Sequence, residues 1–182
     1  NLMKNMILKY LAFALSIAVI FSSVPLNCNN SLLFSAAAAE EEQNSTSNPT
    51  YSGICGDNLV WTLCAGVLTI SGTGEMDYWS SKSAVPWYSY RSEINEVNID
   101  DRVTTLGRYF CYECTALTQV DLPESLTLID ACAFSGASLT GITIPDTVET
   151  IGMSAFESTY ISSFFVPASV ASLDASSFDS KE

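Results

Sequence analysis

Residues 139–156 read LTGITIPDTVETIGMSAF, and the same spacing of apolar residues returns three more times around them. INEVNIDDRVTTLGRYFCYE opens at Ile94, LTQVDLPESLTLIDACAF at Leu117 and ISSFFVPASVASLDASSF at Ile161, so successive copies begin 23, 22 and 22 residues apart. A period of that length belongs to a stacked repeat. Such a unit buries its apolar side only against its neighbours and leaves one long, uniform outer face. That face suits binding better than chemistry.

Within each copy the apolar positions are fixed. Ile94, Val97 and Ile99 match Leu117, Val120 and Leu122, then Leu139, Ile142 and Ile144, then Ile161, Phe164 and Val166. This alternation predicts a short strand in every copy, the four stacking as parallel neighbours, with Pro123, Pro145 and Pro167 ending three of them by withholding a ladder donor. As the chain returns, Val103, Leu126, Val148 and Val170, then Leu106, Ile129, Ile151 and Leu173, form a second inward column. Phe134, Phe156 and Phe178 recur in register and predict an aromatic spine on the outer side. In the first copy Phe110 sits one place early and Cys111 takes that slot.

Residues between the inward positions must point to solvent. They make two candidate binding columns, Glu96, Gln119, Gly141 and Ser163, and Asn98, Asp121, Thr143 and Phe165. Phe165 is either an apolar anchor on a polar column or the packing surface of a further repeat.

The unit resembles the BspA-like leucine-rich repeat, whose copies read approximately L-x-x-V-x-I-P-x-x-V-x-x-I-G-x-x-A-F. The leader SGICGDNLVWTLCAGVLTISGTGEMDYW, followed by Pro86-Trp87, also resembles the segment that often precedes such repeats in secreted bacterial proteins. The likeness runs from about Ser52 to Asp179. It implies a leucine-rich-repeat solenoid, a right-handed superhelix of short parallel strands, in a surface or secreted protein used for attachment, and it supplies no catalytic residue. Cys114 falls at a turn position where the family often has cysteine.

The leader itself has a simple pattern. Leu59, Trp61 and Leu63 alternate with Asn58, Val60 and Thr62, as Leu68 and Ile70 do with Thr69 and Ser71, and the intervening Cys64-Ala65-Gly66 places a glycine where a short hairpin loop needs positive φ. A β-hairpin follows from this. Trp79, Trp87, Tyr78, Tyr88 and Tyr90 form a dense aromatic group after it, with the composition of either a carbohydrate platform or a cap over the first repeat. The need to cover the apolar end of a solenoid favours the cap.

Further upstream, Lys4 and Lys9 precede the uncharged run YLAFALSIAVIF, the pattern of a secretory signal, and residues 35–39 offer a small-residue cleavage site. Pro25 and Asn27 cut the run short of a membrane span, and Cys28 lacks the small residue before it that lipidation wants. The net charge is −13 on 182 residues. Such an acidic chain argues against nucleic acid and anionic lipid, whose phosphates need lysine and arginine. Glu40 to Glu42 and the Asp100-Asp101 pair have no ordered calcium-ligand spacing and read as solvated surface.

Chemistry is constrained from several directions. With no histidine, Ser-His-Asp and Cys-His arrangements and His-containing zinc sites are excluded. Gly72-Thr73-Gly74 lacks a third glycine and reads as a turn, not a phosphate cradle, and Glu75 and Asp77 read as exposed. Cys111 and Cys114 form the one C-x-x-C among six cysteines, with only Cys132 near in sequence, so a structural role outweighs zinc or redox. Cys55 and Cys64 flank one strand and would lie about 30 Å apart at ~3.3 Å per residue, too far to bond. Free thiols are therefore expected rather than a disulfide framework. No cofactor or metal is implied.

These expectations divide the chain into a signal peptide (1–39), a polar linker (40–51), a β-hairpin with an aromatic N-terminal cap (52–93) and four repeats (94–116, 117–138, 139–160 and 161–180). The start at Asn1 and the stop at Glu182 directly after a repeat read as a piece of a longer chain. The expected function is non-catalytic binding of extracellular or cell-surface proteins, without membrane insertion of the mature chain. The alternative is a targeting or carbohydrate-binding accessory module of a larger secreted enzyme.

Overall fold

A computed structural model describes residues 50–178; the expected signal peptide and all but the last two residues of the expected linker lie outside them. The hairpin forms as the alternation requires. Strands β2 (Leu59–Cys64) and β3 (Val67–Gly72) pair antiparallel with Trp61 opposite Ile70 and Leu63 opposite Leu68. Their loop is two residues, not three. Ala65 (φ 52°) and Gly66 (φ 83°) both take the left-handed conformation, as a type I′ turn demands. A strand that the sequence reading left out, β1 (Thr50–Gly56), adds antiparallel to β2 and takes up Thr50 and Tyr51. On the other side β4 (Glu96–Ile99), the first strand of the repeats, pairs parallel to β3.

The repeat strands fall in a different place from the one expected. Only the first copy forms a strand in its opening segment; 119–122, 141–144 and 163–166 join no ladder. The parallel ladder lies instead in the returning segment: β5 (Thr105–Leu106), β6 (Leu128–Ile129), β7 (Thr150–Ile151) and β8 (Ser172–Leu173) stack in order, Leu106 beside Ile129 beside Ile151 beside Leu173. The prolines supply a reason. Each of the three later copies carries a residue with no N–H at the end of its opening segment, and the residue before it is driven toward extended, unladdered backbone. The first copy has Asp100 there, and it is the one that ladders. A tight turn follows in all four: Val103, Leu126, Val148 and Val170 donate N–H to the carbonyls of Asp100, Pro123, Pro145 and Pro167 at 3.0–3.1 Å.

The core is one continuous apolar stack. Ile94, Leu106, Leu117, Leu126, Ile129, Leu139 and Val148 have no exposed surface. The aromatic spine exists but is internal, not outer. Phe134 and Phe156 are fully buried, with ring centroids 5.4 Å apart and nearly parallel, and Phe178 continues the stack at 5.1 Å. Backbone bonding puts Cys111 in the slot of Phe134, since Cys111 N–H donates to Ala133 and Phe134 N–H to Ala155. The Phe110 ring nevertheless turns into the spine, 5.9 Å from Phe134.

Candidate functional site

All eight residues of the two predicted columns are exposed: Glu96, Gln119, Gly141 and Ser163, and Asn98, Asp121, Thr143 and Phe165. Between them Val97 and Val120 are buried and Ile142 and Phe164 half-buried, so side chains alternate even where no ladder forms. Phe165 is 76% exposed, whereas its neighbour Phe164 turns inward onto Phe178 at 3.5 Å between ring centroids.

The columns enclose a depression of about 360 Å³ between the opening segments of the first two copies, lined by Asn95, Glu96, Val97 and Asn98 and by Thr118, Gln119, Val120 and Asp121. Four of the predicted residues, Glu96, Asn98, Gln119 and Asp121, thus meet in one place. Thr143, Ser163 and Phe165 lie further along and do not line it. Asn95 and Thr118 were not anticipated. They stand one place before the columns, and both are exposed. Asn98 donates to the Glu96 carboxylate at 3.0 Å, and no lysine or arginine lines the cavity. Two carboxylates, three amides and a hydroxyl make a surface for hydrogen bonds and positive charge. No nucleophile is paired with a base there.

The remaining sequence candidates fall to structural roles. Trp79 and Trp87 are buried, and Trp87 stands edge-on between Trp61, Trp79 and Phe110 while its indole N–H donates to the Phe110 carbonyl at 2.7 Å. Neither ring has a face free for a sugar. Glu75 and Asp77 are exposed. Gly74 donates its N–H to Arg102 O at 3.0 Å, in a turn that joins the first sheet to the repeats. Burial, and then its hydrogen bond with Cys114, push the Cys111 thiol up, and burial followed by Asp77 pushes Cys55 up to about 12. Thiols of that kind are poor nucleophiles. Cys55, Cys111, Cys114 and Cys132 are free as expected, but Cys64 is disulfide-bonded, against the expectation. The expectation had set Cys55 and Cys64 at the two ends of one extended strand, whereas Cys55 lies in β1 and Cys64 ends β2, and strand spacing said nothing of bonds elsewhere. Among the described residues no group of three or more acidic or cysteine side chains is set to hold a metal ion, and no helix is long and apolar enough to cross a membrane.

A parallel ladder of two-residue strands repeating every 22 or 23 residues, with Leu106, Ile129 and Ile151 buried and Leu173, against its expected inward place, exposed, defines a leucine-rich repeat fold. Residues 87–182 match the family model "BspA type Leucine rich repeat region (6 copies)", and the chain belongs to that family. Two crystal structures share the fold. A leucine-rich repeat protein from Eubacterium ventriosum is 22% identical with a TM-score of 0.57, the match covering 69% of this chain and 40% of that one. One from Bacteroides ovatus is 17% identical with a TM-score of 0.52, covering 75% and 38%. The chain therefore spans about two fifths of the length of these proteins. No curated protein matches.

Proposed function

We propose that the protein is a secreted or cell-surface repeat protein that binds other proteins through the outward columns of its opening segments and has no enzymatic activity of its own. The observation that carries this is the uninterrupted exposed strip from Glu96 to Phe165, deepened into a cavity at Glu96, Asn98, Gln119 and Asp121. Polar groups supply specificity there and Phe165 an apolar anchor. In this reading the β1–β3 sheet with Trp79 and Trp87 caps the first repeat, and the repeats coil as a right-handed superhelix. Export is supported by the lysines and apolar run of residues 4–24. The partner is an extracellular or surface protein, with no nucleic acid and no cofactor.

The double variant Phe165→Ser with Asp121→Lys tests the strip. Both side chains are exposed, so the melting temperature should hardly move, while capture of partners from extracellular matrix or neighbouring cell surfaces should fall. Full retention of capture would remove this face from consideration.

A further inference from the structure

A second surface, separate from the strip, gathers most of the positive charge. The described residues hold four lysine and arginine side chains against fifteen carboxylates. Arg102 is spent on Asp100, by a forked pair of bonds at 2.9 and 3.0 Å. The other three lie on one side of the first copy, among tyrosines. Lys82 and Arg91 share a single carboxylate, Glu113, at 3.6 and 3.2 Å, while the Lys82 ammonium also sits 4.6 Å from the Tyr112 ring. Tyr112 stands edge-on to Tyr109, 5.6 Å away.

Arg108 completes the patch. Its guanidinium lies 4.9 Å from the Tyr109 ring centroid, and its one hydrogen bond runs from Nη1 to the Tyr78 hydroxyl at 3.5 Å, with Tyr78 itself 72% exposed. Its Nε has no partner. Among the described cations it is the one without a carboxylate. An arginine set over an aromatic ring, with no carboxylate bonded to its guanidinium, is pre-organised for a carboxylate from outside.

We infer that the surface formed by Arg108, Tyr78, Tyr109, Tyr112 and Lys82 docks an acidic peptide segment of a partner protein. Charge complementarity fixes the sign, because this is where cations outnumber acids on an otherwise acidic chain. Composition favours a peptide over a sulfated glycan: tyrosine and arginine are the residues protein interfaces concentrate, whereas three cations partly offset by Glu113 are too sparse to hold a polyanion by counterion release. The surface is built from the connection between β3 and β4 and from the turns after β5, and shares no residue with the strip. Its success or failure is therefore independent of the function proposed above.

The test is fluorescence anisotropy of a labelled eight-residue glutamate peptide on the full chain at low salt, with a heparin octasaccharide as a second arm. Binding should weaken as salt rises, and Arg108→Ala and Lys82→Gln should each raise the dissociation constant about 5–10-fold. Arg108→Lys should restore part of the loss, and Arg102→Gln and Phe165→Ser should leave it unchanged. Melting curves show that each variant is folded. No peptide binding up to millimolar concentration, an equal loss in Arg102→Gln, or binding of the heparin fragment without the peptide would each overturn the inference.

Discussion

Phe156→Ala is the sharpest probe of how the repeats hold together. The Phe156 ring is fully buried and stacks between Phe134 at 5.4 Å and Phe178 at 5.1 Å. Truncating a buried phenylalanine costs about 3–5 kcal/mol through lost burial and the cavity left behind. The upper half of that range applies, since each aromatic pair adds about 0.5–1.5 kcal/mol and the flanking rings are anchored in their own repeats and cannot collapse into the gap. A domain of this size has a total stability of about 5–15 kcal/mol. At about 4 °C per kcal/mol, between the values for smaller and larger domains, the melting temperature should drop by about 16–20 °C. Circular dichroism melts of the parent, Phe156→Ala and the exposed Phe165→Ala make the comparison, with Phe165→Ala expected to melt like the parent. A drop of less than about 4 °C in Phe156→Ala would refute the internal spine.

Backbone and charge give further expectations. Ala65 occupies a left-handed position of the β2–β3 turn (φ 52°), so Ala65→Asn, which makes the favoured Asn-Gly pair, should raise stability by about 0.5–1 kcal/mol in urea titration. Ser158 (φ 57°) stands where the preceding copy has Gly136 (φ 74°); relief of left-handed strain exceeds the added chain entropy of glycine, and Ser158→Gly should stabilise by about 0.5–1 kcal/mol. Ile144→Ala, in the core of the third copy, should cost about 2–5 kcal/mol. Arg102, by its side-chain bonds, holds the Asp100 carboxyl at about 2, below its ordinary 3.8. The folded form is the more acidic one, so the stabilisation is complete above pH 3.8 and is lost as pH falls toward 2. The stability gap between parent and Asp100→Asn should be steady at neutral pH and close across that window.

The period was legible because it is imposed by stacking: every copy must present its apolar residues at the same height as its neighbour's, and Ile94, Leu117, Leu139 and Ile161 mark that height in the chain itself. The outward columns were legible for the same reason, since alternation decides which side chains reach solvent whether or not a ladder forms. Which of the two extended segments in a copy would pair was not legible from alternation, because both carry apolar residues at suitable spacing. The left-handed turns were also hidden. Tyr109, Cys132 and Ser154 share one slot, and Glu113, Gly136 and Ser158 another, all with positive φ, yet only one of the six is a glycine. The repeated backbone bonds across neighbouring copies, such as Cys132 N–H to Met153 O at 2.9 Å and Gly136 N–H to Glu157 O at 2.8 Å, hold residues in a conformation their side chains do not favour.

The same tertiary override explains why the charged patch escaped the sequence reading. Lys82, Arg91, Arg108 and Glu113 are scattered over thirty-two residues, and no motif links them. They converge because the 3₁₀ turns Lys82–Ala84 and Tyr88–Tyr90 fold back beside the first copy, seated by the buried Trp87. Burial pushes the Glu113 carboxyl up, yet Lys82 and Arg91 outweigh it and hold it below the ordinary range. One carboxylate thus satisfies two cations, and Arg108 is left to another molecule. A chain this acidic would disperse its few cations among its many carboxylates if solubility were all they served. That three of the four lie together among tyrosines, with one arginine unpaired, is the pattern of a surface kept for a partner.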